Sequence, residues 1–212
     1  MQNADTAITD FMITLASVFF IYRLNRVIAT EHDMRRHFIG LFVSVGLASL
    51  AGGIAHGWYE STPELFAAQL CWKFAMVFLG VAAFYVYRLC FSEFNLGSLK
   101  VISDWLLLLA LMAYGYVILF VDADFSIAVK AYVPSLMVWL TVVMWRFFKT
   151  KSVQFLLAVV GLAISFLAIF IQVSHWVIHP DYLDHNALYH LVQIWGLYFI
   201  YRFAEGRVQW MP

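Results

Sequence analysis

Seven runs of mostly apolar residues, each long enough to cross a bilayer, follow one another along the chain, and this series limits the fold more than any other feature. A hydrocarbon core of about 30 Å needs about 20 such residues in a helix. The runs cover about 7–29, 37–59, 64–91, 101–123, 125–148, 153–178 and 185–204. Composition agrees: 64% of the 212 residues are hydrophobic and 12% charged, against roughly a quarter charged in an ordinary soluble domain. Turn and charge signals separate the runs: RRH, ESTPE, SEFNLGSLK, VDADF, KTKS and HPDYLDH. The loops are too short for a second domain, no internal repeat is visible, and the first run lacks the basic flank of a signal peptide. The expected fold is all-α, a single integral-membrane bundle of seven transmembrane helices spanning 1–212.

Lysine and arginine orient the bundle, because cytoplasmic loops retain positive charge. Arg23, Arg26, Arg35, Arg36, Arg88, Lys100, Arg146, Lys149, Lys151, Arg202 and Arg207 all fall at one set of helix ends. The amino terminus is therefore expected outside and the carboxyl terminus in the cytoplasm; in a bacterium the location would be the inner membrane. Lys73, within the third run, and Lys130, near the outer end of the fifth, are the exceptions. A charge within a span is costly and marks a paired or functional position. The 13 basic and 13 acidic residues balance, which leaves no basic surface for nucleic acid. Cys71 and Cys90 lie in one apolar run and define neither a disulfide framework nor a metal site.

This topology gathers histidines. His56 ends the second run, His175 and His179 end the sixth, and His185 and His190 open the seventh, so five of the seven histidines meet at the outer face. His32 and His37 fall in the first cytoplasmic loop. Interfacial histidines are also tolerated simply as amphipathic side chains, a reading that applies equally to His175, His179 and His185. His56 and His190 differ because of the faces they occupy. Gly46, Ser49, Gly52 and Gly53 share the side of His56, a stripe of small residues that admits a neighbouring helix. Asn186, His190 and Gln193 form a polar line at i, i+4, i+7 that should face inward. Buried imidazoles and amides need partners, which a metal ion or a mutual hydrogen-bond network would supply. His175 and His179, four residues apart, form a second candidate chelating pair.

Seven spans, a histidine ending the second and the segment ALYHLVQIWGLYFIYRF in the seventh resemble the superfamily of alkaline ceramidases, progestin and adiponectin receptor-like proteins and haemolysin III-like proteins. An outward amino terminus is the alkaline ceramidase orientation. The resemblance implies a zinc ion held by one histidine of the second helix and two of an H-x3-H pair in the seventh, and hydrolysis of an amide bond in a lipid. His56 then takes the second-helix position and His190 the second member of the pair. The chain departs elsewhere: Asn186 stands at the first member of the pair with His185 displaced by one, Gly52 stands where the family has serine, and no aspartate opens the third helix, whose polar residues are Glu64, Gln69 and Lys73.

A catalytic zinc takes three protein ligands and keeps one open position. His56 and His190 supply two. The third is expected from His185, from His175 or His179, or from Asn186 as an oxygen ligand, with Asn186 and Gln193 lining the site. Glu60 is the candidate general base; Glu64, Asp181 and Asp184 are further carboxylates, although Asp184 also reads as the N-cap of the seventh helix. Ser49, seven residues before His56, should lie about 10 Å deeper at 1.5 Å per residue, out of reach of the same water. Expected partners are membrane lipids, including a lipid substrate with a scissile amide or ester. Two alternatives remain open: axial ligation of a haem iron by His56 and His190, and a non-catalytic subunit whose polar cluster locks the bundle or meets a partner. Pro134 and Lys73 leave room for a permeation path. A retinal pump is set aside because the seventh run holds no lysine for a Schiff base.

Overall fold

The computed structural model describes residues 3–27, 32–94, 97, 99–179 and 183–209. It is all-helical: α1 Ala4–Arg26, α2 His32–Ile54, α3 Phe66–Ser92, α4 Leu99–Tyr116, α5 Phe125–Thr150, α6 Val153–Ser174 and α7 His185–Gln209. Two π-helical turns extend α2 and α4, at Ala55–Tyr59 and Val117–Val121. Asp124 caps α5 by accepting the Ser126 N–H, and Ser152 caps α6 by accepting that of Gln154, each satisfying one of the donors a helix start leaves bare. Lys151 and His175, both left-handed, end α5 and α6.

By length and composition, α1, α2 with its π turn, α3, α4 with its π turn, α5 and α6 are apolar enough to cross a membrane. The protein is accordingly an integral membrane protein. The last helix is more polar, carrying Asn186, His190, Gln193, Arg202, Glu205 and Arg207.

Six helices form a closed ring: α1 packs on α2, α2 on α3, α3 on α5, α5 on α6, α6 on α7, and α7 back on α1. The α4 helix stands outside, against α3, with no buried residue of its own. Small residues set the closest approaches. A Cβ on Gly52 would lie 3.1 Å from an Asp10 carboxylate oxygen, and one on Gly53 would lie 2.8 Å from the Phe11 ring, so the expected small-residue stripe on α2 receives α1. Aromatic rings fill the centre, with Phe38 edge-on to Phe203 at 5.8 Å and Trp139 buried beside both. At the arginine-rich end, Glu93 of the loop after α3 takes Arg146 of α5 and Arg207 of α7 at 2.9 Å each, both guanidinium groups lying over Phe155. This triad carries α7 on to Gln209, five residues beyond the expected end.

Two further differences in boundary bear on expected site residues. The second helix starts at His32, not 37, because Asp33 ties to Lys100 and Arg36. His37 is therefore not a loop residue: it is buried in α2, its Nδ1 3.2 Å from the Ser92 hydroxyl and its Nε2 accepting from Arg88 Nε at 3.3 Å. The sixth helix stops at Ser174, so His175 and His179 do not share a helix face.

Candidate functional site

The buried stripe of α1 is Thr6, Asp10, Ile13, Ser17, Phe20 and Leu24 at i, i+3/i+4 spacing. It is apolar towards the arginine-rich end and polar towards the other, so Asp10 enters the ring about two turns from the start of α1. A carboxylate in an apolar span is expensive and needs partners. Asp10, 4% exposed, has two: the Ser49 hydroxyl bonds to it, and the Nε2 of His190 stands 3.4 Å from its Oδ1.

His190 is held from its other side. Its Nδ1 lies 3.1 Å from the Thr9 hydroxyl oxygen, which also has the carbonyls of Thr6 at 2.9 Å and Asp5 at 3.0 Å within reach. Thr9 owns one hydroxyl proton, and in a helix that proton goes back to the i−3 or i−4 carbonyl. The Thr9 oxygen is then the acceptor for Nδ1–H, which leaves Nε2 carrying a lone pair. The bare nitrogen faces a carboxylate oxygen at a distance longer than the about 2.7–2.9 Å of a charge-assisted hydrogen bond. Two acceptors held this way in a buried site require a positive charge between them, a shared proton or a metal ion.

His56 shows the same arrangement. It lies in the π-helical turn and its Nδ1 is 2.7 Å from Glu60 Oε2, so the carboxylate accepts Nδ1–H and Nε2 is again the nitrogen left over. Glu60 also accepts from Asn3 Nδ2 at 3.4 Å. A metal-ligating histidine characteristically gives its second ring N–H to a carboxylate or similar oxygen, which fixes its tautomer and its ring. Both histidines meet that description, with Glu60 and Thr9 as the holding groups.

Asp10, Ser49, His56 and His190 line one cavity of about 200 Å³, together with Gln172 of α6 and Asn186 and Tyr189 of α7. Gln172 donates its amide to Asn186 Oδ1 at 2.7 Å, while its own Oε1 is buried without a partner among the described residues. That orphaned acceptor suits an N–H or O–H brought by a ligand. Outside lies a second cavity of about 320 Å³ lined by Tyr59, Glu60, Pro63, Gln69, His56 and Trp72. His56 and Trp72, edge to face at 6.1 Å, belong to both and separate the vestibule from the inner cavity.

The other expected site residues fall elsewhere. His185 and His175 engage each other, Nε2 to Nδ1 at 3.0 Å, and neither lines the inner cavity; His179 forms a backbone bridge with Leu183. Gln193 bonds to Ser165 at 3.1 Å in the contact of α7 with α6, outside the cavity. Asn186 lines the cavity but is tied to Gln172 and to Asp184, whose Oδ2 accepts at 3.3 Å. Asp184 is the N-cap, accepting the Ala187 N–H at 2.8 Å and the Thr6 hydroxyl at 3.2 Å. Burial raises its pKa, but the bonds from Ala187, Asn186 and Thr6 and the nearby His185 outweigh that and leave it lowered. Glu60 positions His56. Glu64 is exposed and lines neither cavity, and Asp181 lies outside the described residues. Ser49 corrects the expectation of a residue too deep to join: it reaches the site through Asp10. Lys73 donates to the Leu119 carbonyl at 2.8 Å, one of those in the π turn after α4, a structural pairing. Among the described residues, no three His, Cys, Asp or Glu side chains stand as a ready-made metal site.

Sequence reasoning missed Asp10 and Thr9. The signal was present: Asp10 lies beyond the first turn of an apolar run, four residues after Thr6 and seven before Ser17.

A family model described as a family of unknown function, DUF6962, matches residues 6–208. No curated protein and no solved structure matches the chain.

Proposed function

The chain belongs to the DUF6962 family of unknown function, and we propose that it is a zinc-dependent hydrolase of a membrane lipid amide or ester, a divergent relative of the alkaline ceramidases. All seven helices span the membrane, with the amino terminus and the site at the non-cytoplasmic face and the arginine-rich end in the cytoplasm; the distribution of lysine and arginine supports this orientation. Asp10, His56 and His190 are the residues that would hold the ion once drawn together on it, a two-histidine, one-carboxylate set of the kind that catalytic zinc uses. Asp10 replaces the missing member of the H-x3-H pair, where Asn186 stands. The observation that carries the reading is the bare Nε2 of His190 opposed to the Asp10 carboxylate at 3.4 Å, on a cavity shared with a second imidazole whose Nδ1 is likewise committed.

When bound there, zinc would supply Lewis-acid chemistry and lower the pKa of a water. The chain's own residues do the rest. Ser49 donates to Asp10 and fixes the carboxylate. Glu60 and Thr9 fix the tautomers of His56 and His190. Gln172 Oε1 accepts the N–H or O–H beside the scissile bond. Trp72 and His56 close the cavity against the vestibule. A cavity of about 200 Å³ fits an ion and a small polar group, not a haem macrocycle.

A second reading has one observation in its favour: Asp10 and His190 already touch, which a proton shared between them would also explain, the cluster then being structural. Elemental analysis of purified wild-type protein beside His190→Ala, followed by a hydrolysis panel of ceramides and glycerolipids, separates the two. Zinc in the wild type that disappears in the variant, together with cleavage of one lipid class, supports the hydrolase. A metal-free wild type sinks it in favour of the shared proton, and zinc-loaded protein that cleaves nothing removes the activity while leaving the metal site.

A further inference from the structure

The position of α4 outside the ring leaves a groove that the site above does not use. Polar clasps hold α4 at its two ends. At one, Arg88 pairs with Asp104, and Lys100 with Asp33 at 3.5 Å. At the other, the Tyr114 hydroxyl donates to the Met76 carbonyl at 2.7 Å and Lys73 to that of Leu119 at 2.8 Å. The Tyr114 ring lies against Gly80 so closely that a Cβ there would collide with it. Beneath this contact, α3, α4 and α5 stand apart around a cavity of about 320 Å³ lined by Gly80, Ala83, Ala110, Tyr114, Lys130 and Pro134, among others. Small side chains on three helices create the space, and its depth along apolar spans puts hydrocarbon, not water, beside it.

Lys130 gives the groove a polar end. It lies in the second turn of α5, facing this space, and among the described residues it makes no ion pair or hydrogen bond, although its charge is felt by Asp124. Pro134, four residues on, has no N–H to give the Lys130 carbonyl. An ammonium donor and a carbonyl without its helical donor therefore meet at one position, at the depth where lysine side chains reach the headgroup layer. Lys73, the other cation expected at this end of the bundle, is already spent on Leu119.

We infer that this groove binds a membrane phospholipid, its phosphodiester on the Lys130 ammonium and one acyl chain running between α3, α4 and α5 past Gly80 and Ala83. Charge decides between a phospholipid and a neutral lipid: a lone cation at the mouth of an apolar slot complements a phosphate and gives a diacylglycerol nothing. The inference is independent of the proposed hydrolase site, whose residues lie inside the ring.

The test is native mass spectrometry of the delipidated full chain in detergent, titrated with dioleoylphosphatidylglycerol and, separately, dioleoylglycerol. Wild-type protein should retain the phospholipid in preference to the diacylglycerol. Lys130→Gln should bind the phospholipid roughly tenfold more weakly, the loss of one charge-assisted hydrogen bond, with diacylglycerol binding unchanged. Ala110→Trp fills the groove from α4, the helix with no buried residue, and should expel phospholipid while helicity and zinc content stay those of wild type. Equal phospholipid affinity in wild type and Lys130→Gln, or undiminished binding in Ala110→Trp, overturns the assignment.

Discussion

Replacing Asp10 by asparagine and by alanine should give opposite results, and the geometry says why. In the wild type without a bridging cation, the carboxylate oxygen and the His190 Nε2 are two acceptors 3.4 Å apart. An asparagine in its place would keep the shape, still accept from Ser49 through its oxygen, and turn its amide N–H₂ towards Nε2. The variant gains a neutral hydrogen bond of about 0.5–1.5 kcal/mol and loses a buried charge. Asp10→Asn should therefore be at least as stable as metal-free wild type, while its zinc content falls because a carboxylate ligand is gone. Asp10→Ala offers Nε2 no such donor and takes the carboxylate away from the half-buried Ser49 hydroxyl, so it should be less stable than Asp10→Asn by about 1 kcal/mol or more. The assay is thermal unfolding in detergent, read by tryptophan fluorescence with and without a chelator. Chelation should lower the Tm of the wild type, because a ligand that binds only the folded state stabilises it, and should leave Asp10→Asn unmoved. An Asp10→Asn protein as unstable as Asp10→Ala, or one that keeps its zinc, would refute the reasoning.

Glu60→Gln should fold normally, since the side chain is partly exposed, yet weaken zinc binding about 10–100-fold, as losses of groups that hold metal ligands do; equilibrium dialysis against buffered zinc reads the change, and an unaltered affinity would release Glu60 from its role. Asp184 has a lowered folded pKa, so it stabilises the fold at pH values above its unfolded pKa, and that contribution fades as the pH falls through the lower, folded value. Asp184→Asn, which keeps a capping oxygen, should be less stable than wild type at neutral pH and converge with it in acid; a difference that persists below both values would contradict the assignment. Gly53→Val would push against Phe11 and Asp10 and should cost about 1–3 kcal/mol through overpacking, with loss of zinc, whereas Gly115, which faces open space, should accept alanine without effect on zinc content.

How far the sequence could be read follows the physics of each element. Apolar run length located the helices, six of which are long and apolar enough to cross a membrane. Boundaries failed where a long-range partner decided them: Arg207 extends α7 by reaching Glu93, and Asp33 and His37 join α2 through Lys100, Arg88 and Ser92. His56 and His190 were found from their helical faces, and both line one cavity. Asp10 is legible by the same physics as the histidines, since a carboxylate in an apolar run is an equally strong sign. Depth along α2 alone separates Ser49 from His56, whereas the side chain that links it to His190 comes from α1. The pairing of His175 with His179 assumed a helix that the left-handed His175 ends. Which cysteine, histidine or carboxylate pairs meet across helices depends on the ring order, with α7 closing on α1 and α4 left outside, and run lengths carry no record of that.

X-ray absorption at the zinc edge of the purified full chain tests the central claim most directly. The account predicts a zinc with two imidazole nitrogens and oxygen ligands at about 2.0–2.1 Å, losing one imidazole in His190→Ala and in His56→Ala and unchanged in His185→Ala. A wild-type protein without zinc, a sulfur-ligated ion, or a spectrum that changes in His185→Ala and not in His190→Ala would contradict it.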